Sequence, residues 1–109
     1  MIYRLSEVPP SLNMMFHYVR KGRVLTKEYR AWRKAMSKEL LPVTPLKCEK
    51  YSLEIQVPRK TRGDIDNRIK AISDLLVEVG ATPDDRHMDE CRIVRADIDE
   101  TVIEVVGLA

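Results

Sequence analysis

The strongest constraint on this chain is a change of hydrophobic period in its middle. Tyr51, Leu53, Ile55 and Val57 alternate with Ser52, Glu54 and Gln56, a period of two that predicts a half-buried strand ending at Pro58. From Asp64 the period becomes helical: Ile65, Ile69, Ile72, Leu75, Leu76 and Val79 share an arc of about 120° on a helical wheel. Gly80 then stands where a left-handed residue would end that helix. Two further runs of strand formers, Arg92 to Ile98 and Thr101 to Val106, are joined by the polar link Asp99-Glu100. Strand, helix, strand and strand in this order belong to one mixed α/β unit with an α+β character.

The amino-terminal half adds fewer elements. Ile2 to Val8 reads as a strand that stops at Pro9-Pro10, and Arg20-Lys21-Gly22 reads as the turn of a short hairpin between Met14 to Tyr18 and Arg23 to Leu25. Thr26 is placed to cap a helix over Lys27 to Leu41, which Pro42 keeps from continuing. On that helix Tyr29, Trp32, Met36 and Leu40 face one side as core, and Lys27, Arg30, Lys34 and Lys38 form a basic stripe on the other. The expected order is strand, hairpin, helix, strand, helix, strand, strand: a mixed sheet with two main helices. At 109 residues, with no repeat or linker, the whole of 1–109 is expected to form a single domain.

Hydrophobic residues make up 44% and charged residues 33%, which excludes a disordered tail. No apolar run approaches the roughly 20 residues of a membrane span, and Met1-Ile2-Tyr3-Arg4 lacks a signal peptide's apolar stretch, so a cytoplasmic protein without membrane contact is expected. Cys48 and Cys91 are expected to be reduced, partly buried thiols, since neither has neighbours at metal-finger spacing. The net charge of +2 hides an asymmetry: residues 1–63 carry +9 and residues 64–109 carry −7. That suits a basic surface for a polyanion beside an acidic centre, or, more blandly, two solvated faces that neutralise each other.

The acidic centre carries the chemistry. Asp64-Ile65-Asp66-Asn67 follows the basic loop Arg59-Lys60-Thr61-Arg62-Gly63, and a second acidic group, Asp84-Asp85, comes shortly after Gly80. With Asp66 at 0° on the wheel, Ser73, Lys70 and Asp74 fall within about 80° of it, well away from the apolar arc. Clustered carboxylates suit hard divalent cations such as Mg2+. The matching reaction is phosphodiester hydrolysis, in which a cation polarises the phosphate while a lysine, here Lys70, offsets developing charge. Asp74 lies about 12 Å beyond Asp66, too far to share an ion with it, and reads as a salt-bridge residue. His87 reads as a surface histidine, while Asn67 either positions a carboxylate or phosphate or satisfies the helix start.

The run Asp64-Ile65-Asp66-Asn67-Arg68-Ile69-Lys70-Ala71-Ile72-Ser73-Asp74-Leu75-Leu76, followed by Gly80 and Asp84-Asp85, resembles the signature of the RusA family of Holliday-junction resolvases. Pro9-Pro10-Ser11-Leu12-Asn13 is similar to that family's amino-terminal Pro-Pro-Ser-x-Asn motif, so the resemblance runs from near the start to about Val94. It implies a mixed α/β homodimer that binds branched DNA, specifically four-way junctions, and nicks two opposing strands symmetrically with Mg2+ or Mn2+. By position it implies that Asp64, Asp66 and Asp85 are metal-binding catalytic carboxylates and that Lys70 is the catalytic lysine. Lys27, Arg30, Lys34 and Lys38, with Arg59, Lys60 and Arg62, are the expected DNA-binding residues, and Asn13 and Asn67 are supporting ones, Asn13 with Ser11 fixing a turn near the site. The competing expectation is a catalytically silent branched-nucleic-acid-binding phage accessory protein.

Two departures bear on this. Arg68 stands where the family usually has an apolar residue, inside the apolar arc, and is expected to snorkel or to reach DNA. Ala81-Thr82-Pro83 lacks the aromatic residue often found there. A helix from Ile65 to Val79 would rise about 21 Å, and six further residues could barely return Asp85 to its start, so a site shared between two chains is expected.

Overall fold

The computed structural model describes residues 1–108. Four strands form one sheet: β1 (Ile2–Leu5), β4 (Lys50–Pro58), β5 (Met88–Ala96) and β6 (Thr101–Leu108), in the order β1-β6-β4-β5. A two-stranded hairpin, β2 (Phe16–Val19) with β3 (Gly22–Leu25), stands apart from it. The helices are α1 (Leu12–Met15), α2 (Lys27–Leu40) and α3 (Ile69–Glu78). The mixed α+β class, the mixed sheet and the two main helices agree with the sequence reading; α1 is an additional single turn.

β4 is the centre of the fold. It pairs in parallel with β5 and antiparallel with β6, so β4, α3 and β5 form a crossover unit. β5 and β6 are not neighbours in the sheet, because β4 lies between them and the link after Ala96 must step across it. Tyr51, Leu53, Ile55 and Val57 are buried beside Ile103 and Val105 of β6. The same core takes Tyr29, Trp32, Met36 and Leu40 from α2 and Ala71, Ile72, Leu75 and Leu76 from α3. Tyr29 and Trp32 stack on each other at 6.3 Å between ring centroids, which makes them core residues rather than a platform for bases.

Local chemistry sets the boundaries. β1 ends at Leu5 rather than Val8 because the Glu39 carboxylate takes the Ser6 amide (2.8 Å) and the Ser6 hydroxyl (2.5 Å). Thr26 caps α2 as expected, its hydroxyl oxygen accepting from the Tyr29 amide at 3.1 Å. β5 begins at Met88, four residues before the expected start, because pairing with β4 carries the exposed Asp89 and Glu90 into the strand. Cys48 and Cys91 are free and both exposed, which corrects the expectation of partly buried thiols.

The second helix is shorter than its hydrophobic pattern. Asp66–Arg68 form a 3-10 turn, closed by the Arg68 amide on the Ile65 carbonyl at 3.1 Å, and the α-helix begins only at Ile69. At its other end Gly80 adopts φ +80°. Its amide donates to the Val77 carbonyl (3.1 Å) and the Ala81 amide to the Leu76 carbonyl (2.9 Å), the paired bonds of a Schellman cap. That cap turns the chain, and buried Ala81 and Thr82 carry it onward to Asp85.

Candidate active site

Three short segments carry the candidate residues. The loop Arg59 to Asp64 leaves the end of β4, the 3-10 turn carries Asp66, and the return segment after Gly80 carries Asp84 and Asp85. Lys70, in the first turn of α3, links the last of these to the helix. Its Nζ lies 3.0 Å from Asp85 Oδ2 and 2.9 Å from Asp74 Oδ1. Hydrogen bonds to Asp74 and then Asp85 raise its pKa above the ordinary 10.5, so Lys70 is a permanent ammonium at neutral pH. Asp74 is thus the salt-bridge residue that its spacing suggested.

The Lys70–Asp85 contact is made within one chain, and this corrects the length premise behind the expectation of a shared site. α3 itself covers only about 15 Å, not the 21 Å assumed for a helix starting at Ile65, and the Schellman cap sends the chain back along it. Six residues are ample to bring Asp85 back to Lys70.

Asp64 and Asp66 are exposed. Asp66 lies in the 3-10 turn, so the wheel that placed it in one register with Lys70 does not hold across residues 66–69. Ser73, expected on the polar side, is buried, and its hydroxyl donates back to the Lys70 carbonyl at 3.2 Å. Among the described residues no three His, Cys, Asp or Glu side chains are disposed to hold one metal ion. The carboxylates have the right donor chemistry for a hard cation, but they are not drawn together around a common centre, and Asp85 is already neutralised by Lys70.

The supporting residues divide. Asn67 is half-buried and its Oδ1 has no hydrogen-bond partner among the described residues, so it does not serve the helix start as a cap. Asn13 is exposed on α1. The turn before it is made by the Ser11 backbone, whose carbonyl accepts from the Met14 amide at 2.9 Å, and the Ser11 side chain makes no cap bond. His87 Nδ1 lies 3.8 Å from Glu49 and its Nε2 accepts from Arg86. Asp84 caps the turn Asp85–His87 through the Arg86 amide, a bond that lowers its pKa.

Arg68 departs from its expected role. It neither snorkels nor reaches outward: its guanidinium donates to the Pro9 carbonyl at 2.6 Å and to the Arg62 carbonyl at 2.9 Å. The charge asymmetry is partly internal as well. Arg33–Glu78, Arg59–Asp97 and Arg4–Glu100 join the basic half to the acidic half across the fold. Lys27, Arg30, Lys34 and Lys38 are exposed and stand outside these pairs, as do Lys60 and Arg62, whereas Arg59 already has Asp97 at 2.5 Å.

The chain is thus an α+β domain with a parallel crossover, an exposed aspartate turn just before its second main helix, and a carboxylate–lysine pair on the return loop. The family model of endodeoxyribonuclease RusA matches residues 7–106, and the chain belongs to the RusA family. The match takes in both the Pro-Pro-Ser segment and the whole of the acidic signature. No curated protein matches the chain. No helix among the described residues is long and apolar enough to cross a membrane.

Proposed function

We propose that this chain is a structure-selective endodeoxyribonuclease that resolves four-way DNA junctions by paired symmetric nicks, as a homodimer with Mg2+ or Mn2+, in recombination and repair. The observation that carries the reading is the Lys70–Asp85 pair, which brings the second acidic segment of the family signature back to the helix that starts just after Asp66. Asp64, Asp66 and Asp85 are the proposed catalytic carboxylates. The cation requirement rests on their oxygen-donor chemistry alone. Lys70, fixed as an ammonium between Asp74 and Asp85, supplies positive charge where a phosphodiester gains negative charge during cleavage.

One observation favours a second reading, a catalytically silent branched-DNA binder: among the described residues no three carboxylate, imidazole or thiol groups are disposed to hold one ion. A mobile four-way junction and linear duplex of the same sequence, each incubated with and without Mg2+, separate the two. The enzyme nicks the junction symmetrically, only with Mg2+, and spares the duplex. The silent binder retards the junction in a gel and leaves it whole.

The exposed cations are the proposed DNA-binding groups. Replacing Lys27, Arg30, Lys34 and Lys38 with Gln is expected to weaken junction binding and to reduce the slope of log affinity against log salt by about 0.9 for each phosphate that is no longer neutralised. Arg59→Gln has a smaller effect, because Asp97 already occupies that guanidinium. Affinity and slope unchanged in the fourfold variant would return the α2 stripe to an ordinary solvated face.

A further inference from the structure

The loop that leads into Asp64 is held by arginines through its backbone. Arg95, on β5, donates to the Thr61 carbonyl at 3.3 Å and to the Gly63 carbonyl at 2.5 Å. Arg68 takes the carbonyl between them, that of Arg62, at 2.9 Å. Three consecutive carbonyls, Thr61, Arg62 and Gly63, are therefore fixed by guanidinium groups from two different elements.

Arg68 does something Arg95 does not. Its other terminal nitrogen reaches the Pro9 carbonyl at 2.6 Å, fifty-nine residues away in sequence. Pro9 and Pro10 have no backbone N–H, so these two residues can be anchored through the main chain only by their carbonyls. A guanidinium is a planar fork that can hold two acceptors at once, which a lysine ammonium on its flexible stem reproduces poorly. The Nε of Arg68 is buried without a partner among the described residues, so the two terminal nitrogens are the ones that hold it.

We infer that Arg68 is a positioning residue, a cross-tie that fixes the Pro9-Pro10-Ser11 turn and the loop before Asp64 to the 3-10 turn carrying Asp66. The inference deepens the proposed function, since what it positions are the carboxylates of that site. It also accounts for a charged residue on the apolar arc of the helical pattern, where the family usually has an apolar one.

Hydrogen exchange resolved by peptide tests it in the full chain, comparing wild type with Arg68→Ala, Arg68→Lys and Arg95→Ala. Arg68→Ala is expected to speed exchange about 10-fold or more in both residues 8–14 and residues 59–67, as befits the loss of hydrogen bonds to a charged donor, while β4 and the body of α3 stay protected. Arg95→Ala should loosen only residues 59–67. Arg68→Lys, which keeps the charge but not the fork, should leave at least one of the two segments loosened. Junction nicking by Arg68→Ala is expected to fall by about an order of magnitude at nearly unchanged junction affinity, because the side chain positions carboxylates and does not touch phosphate. Unchanged exchange in residues 8–14, the same pattern for Arg68→Ala and Arg95→Ala, or full protection restored by Arg68→Lys would overturn the cross-tie, as would uniform loosening of the whole chain. If wild type fails to nick junctions, the functional reading falls, and the exchange patterns still decide the role of Arg68.

Discussion

Asp66→Asn is expected to lower junction nicking by about three orders of magnitude or more, the scale of losing several kcal/mol of transition-state charge stabilisation. The amide keeps the size of the side chain and removes its charge. Asp66 is exposed in a 3-10 turn, so folding should be little affected, with a stability change within about 0.5 kcal/mol. Junction affinity should hold or rise, because a negative charge at the proposed phosphate site is gone. Single-turnover cleavage beside gel retardation checks both halves. A variant that nicks at wild-type speed removes Asp66 from the site, and one that fails to fold makes its carboxylate structural.

Ile55→Ala should have the largest effect on stability. Ile55 is fully buried in the central strand, paired with Ile93 on one side and Ile103 on the other. Truncating such a side chain costs about 2–5 kcal/mol, against a total of roughly 5–15 for a domain of this kind. The guanidinium midpoint should fall steeply with the denaturant slope unchanged. Gln56→Ala, one residue on and on the opposite face of the sheet, should change stability by no more than about 0.5 kcal/mol. Equal losses at the two positions would contradict the one-sided burial of β4.

These two positions show what is legible in the sequence. Alternation from Tyr51 to Val57 and the spacing of Tyr29, Trp32, Met36 and Leu40 report burial directly, and burial found both elements. Thr26 and Gly80 are boundary residues with a backbone role, and each acts as its type requires. What stays hidden depends on pairings distant in sequence. The early start of β5 rests on pairing with β4, which draws in Asp89 and Glu90 against their composition. The 3-10 turn before α3 is invisible to a helical wheel, since Ile65 and Ile69 fit the apolar arc whether or not the backbone between them is regular. Taking the helix to begin at Ile65 then overstates its length and produces the expectation of a site shared between chains. Arg68 offers one usable signal: a guanidinium on an apolar arc must find acceptors, and backbone carbonyls of adjoining loops are the nearest supply.

The central proposal is that the aspartate turn and the return loop bearing Asp85 serve one site within the same chain. Mixed dimers test it. Asp66→Asn and Asp85→Asn proteins, each inactive alone, are combined under conditions that let subunits exchange, and nicking of a four-way junction is measured. Wild type mixed with the Asp66→Asn/Asp85→Asn double variant serves as the control, because such a dimer keeps one intact site and nicks one strand. If Asp66 and Asp85 of one chain serve one site, each single variant disables its own site, so the mixture of the two should stay inactive while the control nicks. Recovered single-strand nicking in that mixture would mean that Asp66 of one chain works with Asp85 of another, and would contradict the account.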